Sequence, residues 1–268
     1  MKRTIFGALL LFSSISLFAQ NQRTFVSGVG LDTNPCSVTS PCRSIPTALG
    51  VTNSGGEIIV LDSAGYGQSV TINKAVNIVV PPGIFAAMTP TTSGLSSTAL
   101  YIAAGPSDTI RIDGLQILGA GVANNQVGVD IGACARTELT NMKIKSVAYP
   151  VKVLADVRVL LKNVDASVFT TGLTLSGINT NADTSTLKVL VHNSSFVFGT
   201  LGIQINTGAL VINNDNVANG THMAFLSQAS FALGNNAASC ITPFNAVFSG
   251  SSIVDTRTGA GGSVCYAP

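Results

Sequence analysis

Several short apolar segments of this chain carry a chemically useful residue at their third position. Ala99-Leu-Tyr-Ile102 presents Tyr101, Gly128-Val-Asp-Ile131 presents Asp130, and Pro150-Val-Lys-Val153 presents Lys152. Gly172-Leu-Thr-Leu175 and Gly202-Ile-Gln-Ile205 add Thr174 and Gln204, and Ala224 of Met223-Ala-Phe-Leu226 closes the series. Stacked on one outward face, these residues would offer a ring to a sugar and an acid and a base for hydrogen bonding. Asp130 and Lys152 come nearest to a catalytic pair, although no catalytic set is recognised. The simpler reading of the two is an exposed salt bridge of small energetic value.

A second stripe is basic. Arg111, Arg136, Arg158 and Lys188 recur in the following strands, with Glu138 among them. Guanidinium groups could grip an acidic polysaccharide through paired hydrogen bonds. Leu160, Leu190 and Val211 point outward in a neighbouring column, so the stripe reads equally well as a surface covered by a loop or partner. His192 and His222 are isolated from any paired acid and read as surface residues. No metal site is expected, because no C-x-x-C or neighbouring His accompanies the cysteines.

What must position these side chains is an internal repeat. The segment starts fall at 128, 150, 172, 202 and 223, in steps of 22, 22, 30 and 21. A second series, Asn141, Asn163, Asn193, Asn214 and Asn235, runs out of phase, and the first four each lie nine residues before the next segment start. Two landmarks with one fixed offset define a repeat of about 22 residues. Alternation within each segment indicates strands, and strands joined by coils of constant length stack as a solenoid. The expected fold is all-β, a right-handed parallel β-helix with coils about 4.8 Å apart. Columns counted from each Asn, and from Gly114 one coil earlier, are interior stacks: Ile112, Leu139, Leu161, Val191, Ile212 and Leu233 two before it, and Ile117, Ile144, Ala166, Phe196, Val217 and Ala238 three after. The asparagines themselves read as a turn ladder, since Asn tolerates left-handed backbone and its amide can bond to the rungs above and below.

Composition agrees with such a solenoid. The chain has 268 residues, a charged fraction of 10%, 27 glycines, no tryptophan and a net charge of +2. Nothing in it resembles a basic, aromatic-laced nucleic-acid surface, so no nucleic-acid partner is expected. Residues 1–19 read as a signal peptide, with Lys2 and Arg3 before the apolar run and Ser16-Leu-Phe-Ala19 at its exit. No later stretch is apolar and long enough to span a bilayer. The mature protein is therefore expected to be secreted, periplasmic or extracellular. Five cysteines suit that destination. Cys36 and Cys42 share a proline-bounded loop and are expected to pair, Cys240 and Cys265 form the second expected disulfide, and Cys134 is left as a buried inert thiol.

In chain order, residues 20–55 hold a first strand from Arg23, the disulfide loop and a short helix over Arg43 to Val51, which would cap the open end of the solenoid. Residues 56–240 form the β-helix, and 241–268 supply final strands and a cap. Pro81 to Ser97 reads as a surface loop. Gly119 to Gln126 and Ser176 to Thr186 are insertions, each either a solvated loop or the wall of a saccharide groove.

Arg23-Thr-Phe-Val-Ser-Gly-Val-Gly-Leu-Asp32, the Cys36…Cys42 loop, the short helix, Gly-Gly-Glu-Ile-Ile-Val-Leu-Asp62 and Gly-Tyr-Gly67 together resemble exported bacterial proteins of the right-handed parallel β-helix (pectin lyase-like) superfamily. That resemblance covers roughly residues 23–80 by motif and the remainder by coil period. It implies the fold. It implies little about function, since the superfamily holds lyases, hydrolases, esterases, adhesins and binding proteins. In its lyase members the outward first-strand face carries the catalytic groups. A polyuronate lyase needs several carboxylates around Ca²⁺ and a base for the α-proton, whereas this face offers Asp130 alone. No Asn-Thr-Asp, Asp-Asp, Gly-His-Gly or Arg-Ile-Lys segment of the polygalacturonase type occurs, and Arg111-Ile-Asp113 matches only in part.

Three readings follow. The first is an exported, non-catalytic β-helix that binds glycans or forms a structural surface, with no cofactor. The second is a polysaccharide lyase or related enzyme acting on acidic polysaccharide, with Ca²⁺ as its cofactor. The third is an adhesin-like, self-associating surface protein.

Overall fold

Among the described residues every strand pairing is parallel, and each strand inside a sheet pairs with its equivalents one coil before and after. The computed structural model describes residues 21–91, 97–122, 125–175, 188–205, 208–213, 222–226, 229–233, 246–247 and 252–255. Residues 1–19, Cys240, Cys265, Asn214, Asn235 and Ser176 to Thr186 lie outside them, and with them the expected signal peptide, second disulfide, last ladder rungs and second insertion.

The chain opens with β1 (Arg23–Val26) and α1 (Ile45–Val51). Then come β2 (Gly56–Val60), β3 (Ala64–Gly65), β4 (Val70–Ile72), β5 (Val76–Val79) and β6 (Ala86–Met88). The next coil is β7 (Thr98–Ala103), β8 (Thr109–Asp113) and β9 (Gln116–Leu118). β10 (Val127–Ala133), β11 (Arg136–Thr140) and β12 (Lys143–Lys145) follow, and then β13 (Tyr149–Val153) and β14 (Arg158–Lys162). β15 (Asp165–Leu175), β16 (Lys188–His192), β17 (Ser195–Ile205) and β18 (Gly208–Asn213) continue the pattern. The described part ends with β19 (His222–Leu226), β20 (Ala229–Leu233), β21 (Ala246–Val247) and β22 (Ser252–Asp255).

One sheet of ten strands runs from β1 through β2, β5, β8, β11 and onward to β22. The other holds two rows, β3-β6-β9-β12 and β4-β7-β10-β13, which meet in β15 and β17 because those long strands turn the corner without a break. This is a parallel β-helix. Among the described residues no helix is long and apolar enough to cross a membrane.

Alternation places one side chain in two inside each coil. Ile112, Leu139, Leu161 and Val191 face one another in register and have no exposed surface. Ile117, Ile144, Ala166 and Phe196 do the same at the next face. Each fully buried aliphatic side chain contributes roughly 1.5–3 kcal/mol, so the stacks supply the main driving force for coil-on-coil association.

The asparagines are the corner between those faces. Asn141, Asn163 and Asn193 have φ of 53°, 54° and 50°. Nδ2 of Asn163 donates to Oδ1 of Asn141 at 2.9 Å, and Nδ2 of Asn193 donates to Oδ1 of Asn163 at 2.6 Å. The ladder starts one coil earlier than the asparagines do, because Asn141 Nδ2 donates to Asp113 Oδ1 at 2.6 Å. At that coil the left-handed corner belongs to Gly114 (φ +79°), where a Cβ would sit 2.8 Å from the Val80 carbonyl oxygen. The next corner is also left-handed, at Ser146 (φ 57°) and Val168 (φ 58°).

The helix starts at Ile45 rather than Arg43. Asp32 Oδ1 accepts from the backbone N–H groups of Arg43 and Ser44 at 3.0 and 2.9 Å, which holds both in the loop, and Ser44 then caps the helix through its hydroxyl. Ile45, Ala48 and Leu49 are buried, and α1 packs against β1, β2 and β4. Cys36 and Cys42 are disulfide-bonded, as expected. Asp62 and Tyr66 of the resemblance motif lock the first coil. The Asp62 carboxylate accepts from Ser27 Oγ and Gly28 N, both at 2.6 Å, and from the hydroxyl of the fully buried Tyr66. Burial and that bond to Asp62 both push the phenol up from its usual range.

The loop expected after β5 is corrected as well. The stretch read as a surface loop from Pro81 to Ser97 contains β6, which pairs with β3 and β9. Ala86 and Met88 are fully buried there, so this coil keeps its third face. Three residues, with alanine twice, present too little apolar alternation to stand out between Pro81-Pro-Gly83 and Thr89-Pro90.

Candidate functional site: the outward column of the first-strand face

Register builds the column directly. Tyr101 pairs with Asp130, Asp130 with Lys152, Lys152 with Thr174, Thr174 with Gln204 and Gln204 with Ala224. Thr71 of β4 extends it on the other side of Tyr101. The strands that carry these residues are held by their inward neighbours: Leu100 and Ile102, Val129 and Ile131, Val151 and Val153, and Leu173 and Leu175 are all fully buried.

Within the column, proximity has not produced an ion pair. Among the described residues the ion pairs are Arg23–Glu57, Arg111–Glu138 and Arg136–Glu138, and Asp130–Lys152 is not one of them. The Lys152 ammonium lies 5.1 Å from the centroid of the Tyr149 ring, a cation–π arrangement on its own strand. Asp130 is left with a buried Oδ1 that has no hydrogen-bond partner. Burial pushes its carboxyl up from the ordinary range, and the charge of Lys152 offsets that only in part. Thr174 is likewise inaccessible, at 8% exposure, and its hydroxyl has no partner. The open member is Tyr101, at 40% exposure. Its ring crosses to the next coil and rests on Gly132, where an added Cβ would meet the phenol oxygen at 2.9 Å.

No protein-family model matches the sequence, and no curated protein was found similar to it. The chain aligns with the crystal structure of pectate lyase Pel9A at a TM-score of 0.49 and 12% identity, over 90% of this chain and 81% of that one. A likeness at that level says nothing of activity. The fold stands on the strand register above.

The basic stripe divides into two columns. Arg136, Arg158 and Lys188 share one, after Thr109. Arg111, Glu138, Leu160, Leu190 and Val211 share the other. Glu138 joins the two, its Oε2 accepting from Arg111 Nε at 2.9 Å and its Oε1 from Arg136 Nε at 2.7 Å. Leu190 is 41% exposed, so the apolar patch beside the cations is real but partial. His192 follows Lys162 in the third outward column, away from the first-strand face. His222 lies on β19 opposite Leu201. Cys134 is 7% exposed, its Sγ 3.2 Å from Thr137 Oγ1, and burial pushes its thiol up, which suits a quiet structural role.

Among the described residues no three of His, Cys, Asp and Glu converge in a way that could hold a metal ion. A calcium ion takes six to eight oxygens. Asp130 is the one carboxylate of the Tyr101–Gln204 column, with one oxygen sealed from solvent. The residues there do not fit such an ion, and no step is derived through one.

Sequence reasoning missed two contributors. Tyr149 sits at the start of its strand, outside the outward column, yet it takes the ammonium that Asp130 was expected to hold. The part of Gly132 as the seat of the Tyr101 ring depends on the offset between coils, which its place in the sequence does not carry.

Proposed function

We propose that this protein is an exported β-helix that binds glycans along its first-strand face without acting on them. The observation that carries the reading is Tyr101: an aromatic ring whose phenol end rests over Gly132, 40% exposed to solvent, with Asp130 and then Lys152 following in register. A sugar ring presents an apolar C–H face edged with hydroxyls, and a fixed aromatic plate flanked by a few polar groups is the complementary surface. Lys152 keeps donors available because it lies over the Tyr149 ring and forms no ion pair with the neighbouring Asp130. The cross-linked Cys36–Cys42 loop supports an oxidising compartment outside the cytoplasm.

Asp130 does not favour a proton-transfer role. A general base must reach substrate, and one of the two carboxylate oxygens of this half-buried residue, Oδ1, is enclosed. A glycan array on the purified mature chain, followed by calorimetric titration of the best hit against wild type and Tyr101→Ala, tests the reading. Loss of an aromatic anchor is expected to weaken binding by on the order of tenfold or more. Unchanged affinity in Tyr101→Ala would move the ligand off this face. Unsaturated uronide products from pectin or alginate in the presence of Ca²⁺ would replace binding with lyase activity.

A further inference from the structure

The corner that joins β10 to β11, with the same corner one coil later between β13 and β14, encloses a cleft of about 440 Å³. Pro106 and Thr109 line one end, Cys134 and Arg136 the middle, and Asp156 and Arg158 the other end. Arg136 and Arg158 face each other across neighbouring strands, and Lys188 follows in the same column. Like charges directly opposite in a sheet repel, so the Arg136–Arg158 pair is an arrangement that a counter-anion would relieve.

Among the described residues, ion pairs relieve it only at the Arg136 end. Glu138 takes the Nε of Arg136, and is shared with Arg111. Arg136 therefore keeps its terminal nitrogens, and Arg158 has no ion pair among the described residues. Both arginines are exposed. Asp108, close behind, is engaged by the Gly105 N–H at 2.8 Å. Asp156 faces the same cleft and opposes a diffuse negative charge. What the cleft favours is a ligand that accepts two parallel N–H bonds from one planar guanidinium, as carboxylates and sulfates do.

We propose that this corner cleft is an oxyanion site for an acidic sugar, with the Arg158 guanidinium taking a carboxylate or a sulfate ester and Arg136 as second donor. It rests on the glycan-binding reading for the carrier of the anion, but not on the Tyr101 face. The test is calorimetric titration of the full mature chain with a galacturonate hexamer, a sulfated glucan hexamer and a neutral glucan hexamer. Wild type is compared with Arg158→Gln, Arg158→Lys and Tyr101→Ala, with circular dichroism to check that each is folded. At least one acidic hexamer is expected to bind in preference to the neutral one. Arg158→Gln should weaken it by about tenfold or more, and Arg158→Lys should recover only part of the loss, because an ammonium cannot form the paired fork. Which acidic hexamer suffers identifies the group as carboxylate or sulfate. Equal affinity in Arg158→Gln and wild type, or equal binding of acidic and neutral hexamers, overturns the cleft while leaving the Tyr101 face standing. A loss in Arg158→Gln with none in Tyr101→Ala does the reverse, and binding of no hexamer removes both.

Discussion

Replacing Asn163 separates the two jobs that the ladder gives each rung. Its side chain makes one bond down, to Asn141 Oδ1 at 2.9 Å, and one up, from Asn193 Nδ2 at 2.6 Å. Its backbone sits at φ 54°. Asn163→Ala removes both bonds, at about 0.5–1 kcal/mol each for a solvent-exposed pair. It also puts a Cβ-bearing residue without a polar side chain into the left-handed region, costing about 1–2 kcal/mol more. The expected loss is about 3 kcal/mol. Asn163→Gly loses the same bonds but tolerates the backbone, and its extra freedom when unfolded costs about 0.5–1 kcal/mol, so about 2 kcal/mol is expected. Guanidinium chloride unfolding followed in parallel by far-ultraviolet circular dichroism and tyrosine fluorescence measures both variants. Coincident curves are required, because stacked repeats can lose their cooperativity. Should both variants fall within about 0.5 kcal/mol of wild type, the level of an ordinary surface change, the rungs hold nothing. Should Ala and Gly be equally damaging, backbone conformation has no part in the choice of Asn.

Two further substitutions address the column and the second corner. Burial raises the Asp130 carboxyl, so the folded chain keeps this proton to a higher pH than the unfolded one. The resulting stability is complete below the unfolded value of about 4 and is lost as pH rises through the folded one. Asp130→Asn should therefore be more stable than wild type at neutral pH and less sensitive to pH above about 4, and a variant less stable at pH 7 would contradict the burial argument. Val168 holds φ 58° with 47% of its surface exposed, a conformation that a β-branched residue rarely adopts. Val168→Asn should gain about 1 kcal/mol, read as a higher denaturation midpoint, and a lower midpoint would show that the valine earns its place by packing.

The coil period and its faces were legible because interior position, corner and outward position recur at fixed offsets from Asn141, Asn163 and Asn193. Register then carried Tyr101, Asp130, Lys152, Thr174 and Gln204 into one column without knowledge of any contact. What the column does was less legible, because the choice Lys152 makes between Asp130 and Tyr149 is a matter of side-chain conformation, which spacing does not encode. β6 escaped notice for a different reason: Ala86 and Met88 are inside because neighbouring coils put them there, not through any pattern of their own. The corner cleft needed both sheets at once, since Cys134, Arg136, Asp156 and Arg158 converge only when two coils are superposed.

From Asn141 onward the described rungs of the corner ladder are carboxamides. Such a spine has no proton to lose or gain over the ordinary range of acidity, and dissolved salt has no charge there to shield. Among the described residues the ion pairs sit elsewhere, on the outer wall of the ten-stranded sheet. Changes in the surrounding medium would therefore be felt on that wall, beside the Arg136–Arg158 cleft, while the amide seam above Asp113 is left undisturbed.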